Sequence, residues 1–338
     1  MGLILRGTLT EVLPIEDNSQ VGHARRTAQR LAEQIGFDEV DSGRVALVTT
    51  ELASNILKHA NRGELHLRAL PRGAYQGLEV LAVDRAAGFD IHRCLADGFS
   101  TGGTQGIGLG AISRQADVFD MYADGRGAVL LARFFRRADT APDYRFGVSQ
   151  HSLRDDPACG DVWALAYNGS GISALIIDGL GHGEDAERAA LAGAAPFVLE
   201  PFSAPGLLLE DMHHAMKGTR GGALAVAQFD RDAKRLQFIG IGNIGASLID
   251  AQNSRGLVSH PGIVGLQFRK PQAFDYPQVN GQLLIMYSDG LQSRWNIRDY
   301  PGLILCHPAL IAALLHRDYC RGRDDVTVLV IALETPDA

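Results

Sequence analysis

The chain has 338 residues, 46% of them hydrophobic and 21% charged, with a formal net charge of −7. This is ordinary globular composition for about two domains. The acidic balance and the lack of a dense basic stripe give no electrostatic reason to expect nucleic acid, and no run of about 18 apolar residues is available to span a membrane. The four cysteines, Cys94, Cys159, Cys306 and Cys320, are widely spaced without a CxxC pair, so they read as free thiols of a reducing compartment rather than zinc ligands. Residues 1–6 are too short an apolar run for a signal peptide, and a soluble cytoplasmic protein is the expectation.

Residues 3–14 alternate as a strand does. Asp17 or Ser19 is placed to cap a helix to Gln34, with Val21, Ala24, Ala28, Leu31 and Ile35 at helical spacing and Gly36 ending it. A second helix is predicted from near Asp41 or Ser42 through Ala60. Glu51, Asn55 and His59 share one face of it, opposite Leu52, Ile56 and Leu57. Such a face is either simply solvated, or it sets a carboxylate that can orient or deprotonate a nucleophile one turn from an amide oxygen able to bind Mg²⁺.

Strands are predicted at 64–70 and 77–84, the second ending in Asp84, a carboxylate suited to an exocyclic amine such as that of adenine. Then five glycines fall within nine residues, Gly102 to Gly110, ahead of a helix at about 107–116. Backbone N–H groups at a helix start make an anion site. No Gly-Lys-Ser/Thr occurs, so this is not a P-loop, and the loop does not join a first strand to its helix as a dinucleotide fingerprint does. Strands at 117–123 and 127–135 close the domain, with Arg133, Arg136 and Arg137 read as a strand end solvating a linker.

The ordered set Glu51/Asn55, Asp84 with Gly88, and Gly106/Gly108/Gly110 resembles the three boxes of GHKL-type ATPases. Within these, Glu51-Leu-Ala-x-Asn55-Ile, Gly36-Phe37 and Asp97-Gly-Phe-Ser-Thr-Gly-Gly resemble the RsbT-type serine kinases of bacterial partner-switching stress pathways. The resemblance covers about residues 3–136. It implies an ATP site in which Asn55 binds Mg²⁺, Glu51 acts as base or orients the substrate serine, and Asp84 holds adenine. Gly88, Thr101, Gly106, Gly108 and Gly110 would line the nucleotide. Ala86 departs from the family's first box, where glycine is usual.

Pro142 and its polar neighbours break both periodicities, so residues 137–145 read as a linker between domains at 1–136 and 146–338. Beyond it the chain is strand upon strand, with a helical pair at about 184–198 and 203–217 and another helix near 308–319; layered sheets in an α/β sandwich follow. Four strand ends carry acids: Gly160-Asp161, Asp178-Gly179, Ser288-Asp289-Gly290 and Asp324-Asp325-Val326. Each alone is a turn aspartate. Together they are a hard oxygen set suited to Mg²⁺ or Mn²⁺, and two such ions can activate water and polarise a phosphoryl group.

Cys-Gly-Asp161-Val-Trp, Ile-Asp178-Gly-Leu-Gly-His-Gly183, Gly221-Gly-Ala-Leu, Gly240-Ile-Gly-Asn243, Tyr-Ser-Asp289-Gly290 and Arg-Asp324-Asp325-Val-Thr327 resemble the metal-dependent PPM protein phosphatases, in the SpoIIE-type branch and nearest its RsbX-like members. The resemblance implies that Asp178 bridges two ions, that the Gly179 carbonyl ligates one, and that Asp289 and Asp324 complete the set. Asp161 lies close by, and Asp325 ranks below Asp324. His182 reads as shaping its loop, and His213-His214 as structural. The fold expected is α/β (α+β): an N-terminal GHKL α/β sandwich and a C-terminal PPM-type αββα sandwich. The function implied is a kinase–phosphatase acting on STAS-domain antagonist proteins, with a sigma factor or a downstream signalling enzyme as a further partner. The alternatives are an ATP-gated phosphatase whose first domain transfers no phosphate, and a binding module that sequesters a sigma factor or antagonist.

Overall fold

A computed structural model describes residues 3–6, 9–72, 75–86, 109–137, 139, 143–269 and 271–334. The chain divides into two compact units. One comprises Thr10–Tyr144 and Ile297–Leu314; the other comprises Met1–Leu9, Arg145–Asn296 and Leu315–Ala338. Below they are the N-terminal and C-terminal units. The boundaries read from sequence differ from these at three places: the strand Leu3–Arg6, residues 137–144, which fall in the N-terminal unit, and the segment Ile297–Leu314.

The N-terminal unit is a five-stranded antiparallel sheet in the order Glu11–Ile15, Gly63–Arg72, Tyr75–Asp84, Gly127–Phe134, Val118–Asp124. Helices Asn18–Gln34 and Glu39–Ala60 cover one face. Asp17 caps the first in a capping box with Gln20, which satisfies backbone N–H groups at both residues. Asp38 caps the second by accepting from the N–H of Asp41 at 2.8 Å. Ala24, Ala28, Val45, Leu52 and Ile56 from these helices pack on Leu65, Leu67, Val80 and Leu130 of the sheet.

The opposite face carries charge. Arg68 pairs in register with Glu79, and Glu79 with Arg133, across three adjacent strands. All three are buried, and the Glu79 carboxylate bridges the two guanidiniums. Burial alone pushes the Glu79 carboxyl up, but Arg68 and Arg133 outweigh it and hold the group low. This corrects the sequence reading of Arg133 as a solvated strand end: its in-register acid on the neighbouring strand draws it into the interior. The Ile297–Leu314 segment adds His307, whose Nδ1 accepts from the N–H of Ala309 at 3.1 Å. That fixes the ring proton on Nε2, which donates to Asp143 at 3.0 Å. The His307 N–H donates to Asp120 at 2.6 Å.

The C-terminal unit stacks two antiparallel sheets. One has the order Leu3–Arg6, Asp161–Asn168, Gly171–Gly179, Gly222–Asp230, Arg235–Ile241, Phe274–Pro277; the other has Ser254–Gly256, Gly245–Ile249, Leu283–Tyr287, Val326–Ala332, Phe146–His151. The strand Gly171–Gly179 is buried at every residue except Asp178, because both its faces are covered. Leu175 and Ile177 face helices Glu184–Leu199 and Pro205–Ala215, against Ala190, Phe197 and Met212. Residues of the other parity face the second sheet, where Trp163 meets Phe146 with ring centroids 5.9 Å apart. His213, read as structural, accepts from the N–H of Gly265 at 3.0 Å and sits edge-on to Phe268. Among the described residues Cys159, Cys306 and Cys320 are free thiols, and no helix is long and apolar enough to cross a membrane.

Candidate functional site

The acids of the C-terminal unit arrive at one end of the sandwich, between its sheets. Asp161 opens its strand, Asp178 lies near the end of the next, and the two are partners in the antiparallel register. Directly opposed residues project to the same side, and like charges so placed repel. By strand parity that side is the one facing the second sheet, since Asp161 shares it with Trp163 and Asp178 with Ile176. From the second sheet, Ser288 and Asp289 follow Leu283–Tyr287, and Asp324 and Asp325 precede Val326–Ala332.

Hydrogen bonds tie these pieces across the gap. The Ser288 hydroxyl donates to Asp161, and the N–H of Thr327 donates to the Ser288 hydroxyl oxygen at 2.9 Å. Asp325 is buried, and its two carboxylate oxygens accept from the N–H of Leu153 and of Gly160, each at 2.6 Å. Asp289 accepts from the Asn243 amide at 2.7 Å. Glycine is required beside two of the acids. A Cβ on Gly290 would lie 2.1 Å from the Asp325 carbonyl oxygen, and one on Gly179 would lie 2.2 Å from that of Ala186.

Crowding shows in the proton affinities. Burial pushes Asp178 up to about 9, and the charges of Asp161, Asp289, Asp324 and Asp325 push the same way. Burial pushes Asp161 up to about 7 against the opposing effect of the Ser288 bond. Asp324 is raised by burial, with Asp289 and Asp325 adding to it and His182 opposing. A divalent cation relieves this repulsion, and an all-oxygen donor set suits Mg²⁺ or Mn²⁺. Among the described residues no three His, Cys, Asp or Glu side chains converge tightly enough to hold an ion unaided. An ion here would therefore also use water or backbone carbonyls, as Mg²⁺ commonly does.

In the N-terminal unit, Glu51 and Asn55 stand one turn apart on Glu39–Ala60, both half-buried, while Leu52 and Ile56 enter the core. Burial raises the Glu51 carboxyl, and Lys58 opposes it. Asp84 is half-buried at the end of its strand and accepts from the N–H groups of Ala86 (3.0 Å) and Ala128 (3.2 Å). Ala86 thus serves through its backbone, which any residue supplies. Gly110 lies in helix Leu109–Gln115. Gly88, Thr101, Gly106 and Gly108 lie outside the described residues. The Glu51–Asn55 pair and Asp84 fit a nucleotide with its Mg²⁺ in donor chemistry: a carboxylate, an amide oxygen, and a second carboxylate fixed at a strand end.

Sequence reasoning passed over Ser288 and Asn243 as site residues. Both stood inside quoted motifs, Tyr-Ser-Asp-Gly and Gly-Ile-Gly-Asn, and a hydroxyl or amide next to an acid was the available signal.

Residues 15–134 match the family described as histidine kinase-like ATPase domain. The chain is 34% identical over 99 residues to serine/threonine-protein kinase RsbT of Bacillus subtilis (strain 168), a stretch that is 29% of this chain and 74% of that one. The chain belongs to the RsbT family. It is longer than that relative, and the family match, residues 15–134, lies within the N-terminal unit. A solved structure from work on the bacterial stressosome, a modular system adapted to control secondary messenger signaling, is 25% identical, with a TM-score of 0.52 over 56% of this chain and 99% of that one. RsbX in complex with magnesium is 20% identical, with a TM-score of 0.49 over 54% of this chain and 92% of that one.

Proposed function

We propose that this RsbT-family chain is a bifunctional regulator of partner switching. Its N-terminal unit transfers phosphate from ATP to a serine of a STAS-domain antagonist protein, and its C-terminal unit removes phosphate from phosphoserine or phosphothreonine. Membership in a serine/threonine kinase family supports the first activity. The observation that carries the second is the opposed pair of buried Asp161 and half-buried Asp178 at the mouth of a two-sheet sandwich, with Asp289 and Asp324 arriving from the other sheet.

In this reading Asn55 holds the Mg²⁺ that accompanies ATP, Glu51 takes or orients the hydroxyl proton, and Asp84 meets the adenine amine. Gly88, Thr101 and the Gly106–Gly110 loop surround the nucleotide. Asp178 and the Gly179 carbonyl, with Asp161, Asp289 and Asp324, hold Mg²⁺ or Mn²⁺, which supplies an activated water and polarises the phosphoryl group. Asp325 spends both oxygens on backbone N–H groups, so its part is to fix the loops rather than to ligate. Two opposed activities on one chain act at a common local concentration.

The test is phosphate flow on a STAS-domain protein, with the full chain, ATP and Mn²⁺. Asp178→Ala should accumulate phosphorylated partner, and Asn55→Ala should accumulate none. If Asp178→Ala adds no phosphate while wild type still clears a pre-phosphorylated partner, the N-terminal unit is an ATP-binding gate or a docking module and the kinase assignment fails.

A further inference from the structure

The C-terminal unit holds a cavity of about 390 Å³ lined by Gln292, Ser293, Arg294, Arg321 and Arg323. Its two walls are loops zipped together by backbone. The N–H of Arg321 donates to Gly290 at 2.9 Å, and that of Gln292 to Tyr319 at 2.9 Å. Leu291 and Cys320 form a bridge between the loops. Arg321 Nε also donates to the Leu291 carbonyl at 3.3 Å, which fixes that side chain as part of the wall. Among the described residues none of the three arginines pairs with an acid. In a chain of net charge −7, three unneutralised guanidiniums around one cavity are a local reversal of sign.

The position of the cavity gives it meaning. One wall begins at Gln292, three residues after Asp289, and the other ends at Arg323, immediately before Asp324. None of the clustered acids lines it. A phosphoryl group held at those acids would leave the neighbouring side chains of its polypeptide within reach of the arginines. Guanidiniums present forked donors that match carboxylate oxygens two at a time.

We propose that this cavity is a docking subsite for acidic side chains flanking the phosphorylated residue of the protein substrate. The site thus selects phosphoproteins whose phosphoserine or phosphothreonine lies in an acidic segment. This rests on the phosphatase reading above and adds a sequence preference to it.

The experiment uses the full chain with Mn²⁺ and phosphoserine peptides that differ only in glutamate, alanine or lysine flanks. It is paired with fluorescence anisotropy of the unphosphorylated glutamate peptide. Wild type should favour the glutamate over the alanine peptide by about two- to fivefold in kcat/KM, the scale of one exposed ion pair. Arg294→Glu should reverse the ranking toward the lysine peptide, an outcome that misfolding cannot produce. Arg323→Gln should shrink the preference without reversing it. Equal kcat/KM on all three peptides, or an unchanged ranking in Arg294→Glu, overturns the subsite. If no peptide is hydrolysed but Arg294→Glu still weakens anisotropy binding, the subsite stands and the phosphatase reading fails. If neither hydrolysis nor arginine-dependent binding is seen, both fail.

Discussion

The hydroxyl of Ser288 donates to the carboxylate of Asp161 at 2.6 Å, a bond that runs from one sheet to the other. It orients a buried acid whose in-register neighbour is also an acid, and it favours the ionised form that a cation needs. Ser288→Ala should therefore weaken Mn²⁺ binding by about tenfold to a hundredfold, the usual cost of losing a group that orients a metal ligand. Titration calorimetry measures it. Affinity equal to wild type would mean that Asp161 holds its place without help.

Metal and pH should act together on stability. Asp178 and Asp161 have folded values of about 9 and about 7, against about 3.9 for an unfolded aspartate. Between these limits the folded metal-free chain binds more protons than the unfolded one, so its stability falls as pH rises. The contribution is fully present below about pH 4 and is lost as pH climbs through the folded values. Thermal unfolding in chelator should show this decline from the two acids. Mn²⁺ should raise Tm more at pH 8.5 than at pH 6, since protons compete for the same oxygens. A Tm increment independent of pH would refute the linkage.

Adjacent acids should behave differently. Asp325→Ala leaves the N–H groups of Leu153 and Gly160 without acceptors and should cost about 2–4 kcal/mol in denaturant unfolding. Asp324 is half-exposed and accepts from the next residue's N–H at 3.0 Å. Asp324→Ala should stay within about 1 kcal/mol of wild type while impairing Mn²⁺ binding. A large stability loss in Asp324→Ala with normal metal affinity would exchange the two roles.

The buried charges of the N-terminal unit give a further case. Glu79→Gln keeps the shape but leaves Arg68 and Arg133 without their common counter-charge, and should destabilise that unit by about 3–5 kcal/mol. Replacing all three with apolar residues of similar volume should recover most of the loss. Hydrogen exchange on residues 63–84 provides a readout local to the unit.

Much of this was legible beforehand. Asp17, one of two candidate caps, announces the helix Asn18–Gln34, and the spacing of Ala24 and Ala28 announces the face it buries. The acids at strand ends were visible as Asp–Gly punctuation, and the structure gathers Asp161, Asp178, Asp289 and Asp324 at one end of one sandwich. Registry was not legible. Nothing local in Arg133 says that Glu79 lies opposite it, because pairing across strands depends on partners 54 residues apart. Nor does alternation within residues 3–14 reveal that Leu3–Arg6 joins Asp161–Asn168 while Glu11–Ile15 joins Gly63–Arg72.

That division of the first strands, together with the return of Ile297–Leu314 to the N-terminal unit, sets an order of events during synthesis. Leu3–Arg6 leaves the ribosome before Glu11–Ile15, but its partner strand Asp161–Asn168 follows only after the N-terminal sheet has been made. The N-terminal unit, in turn, lacks His307 for Asp120 and Asp143 until most strands of the C-terminal unit have emerged. Neither unit is completed by one contiguous stretch of chain. A ribosome stalled at residues 137–145 would leave the RsbT-like half with an unfilled flank.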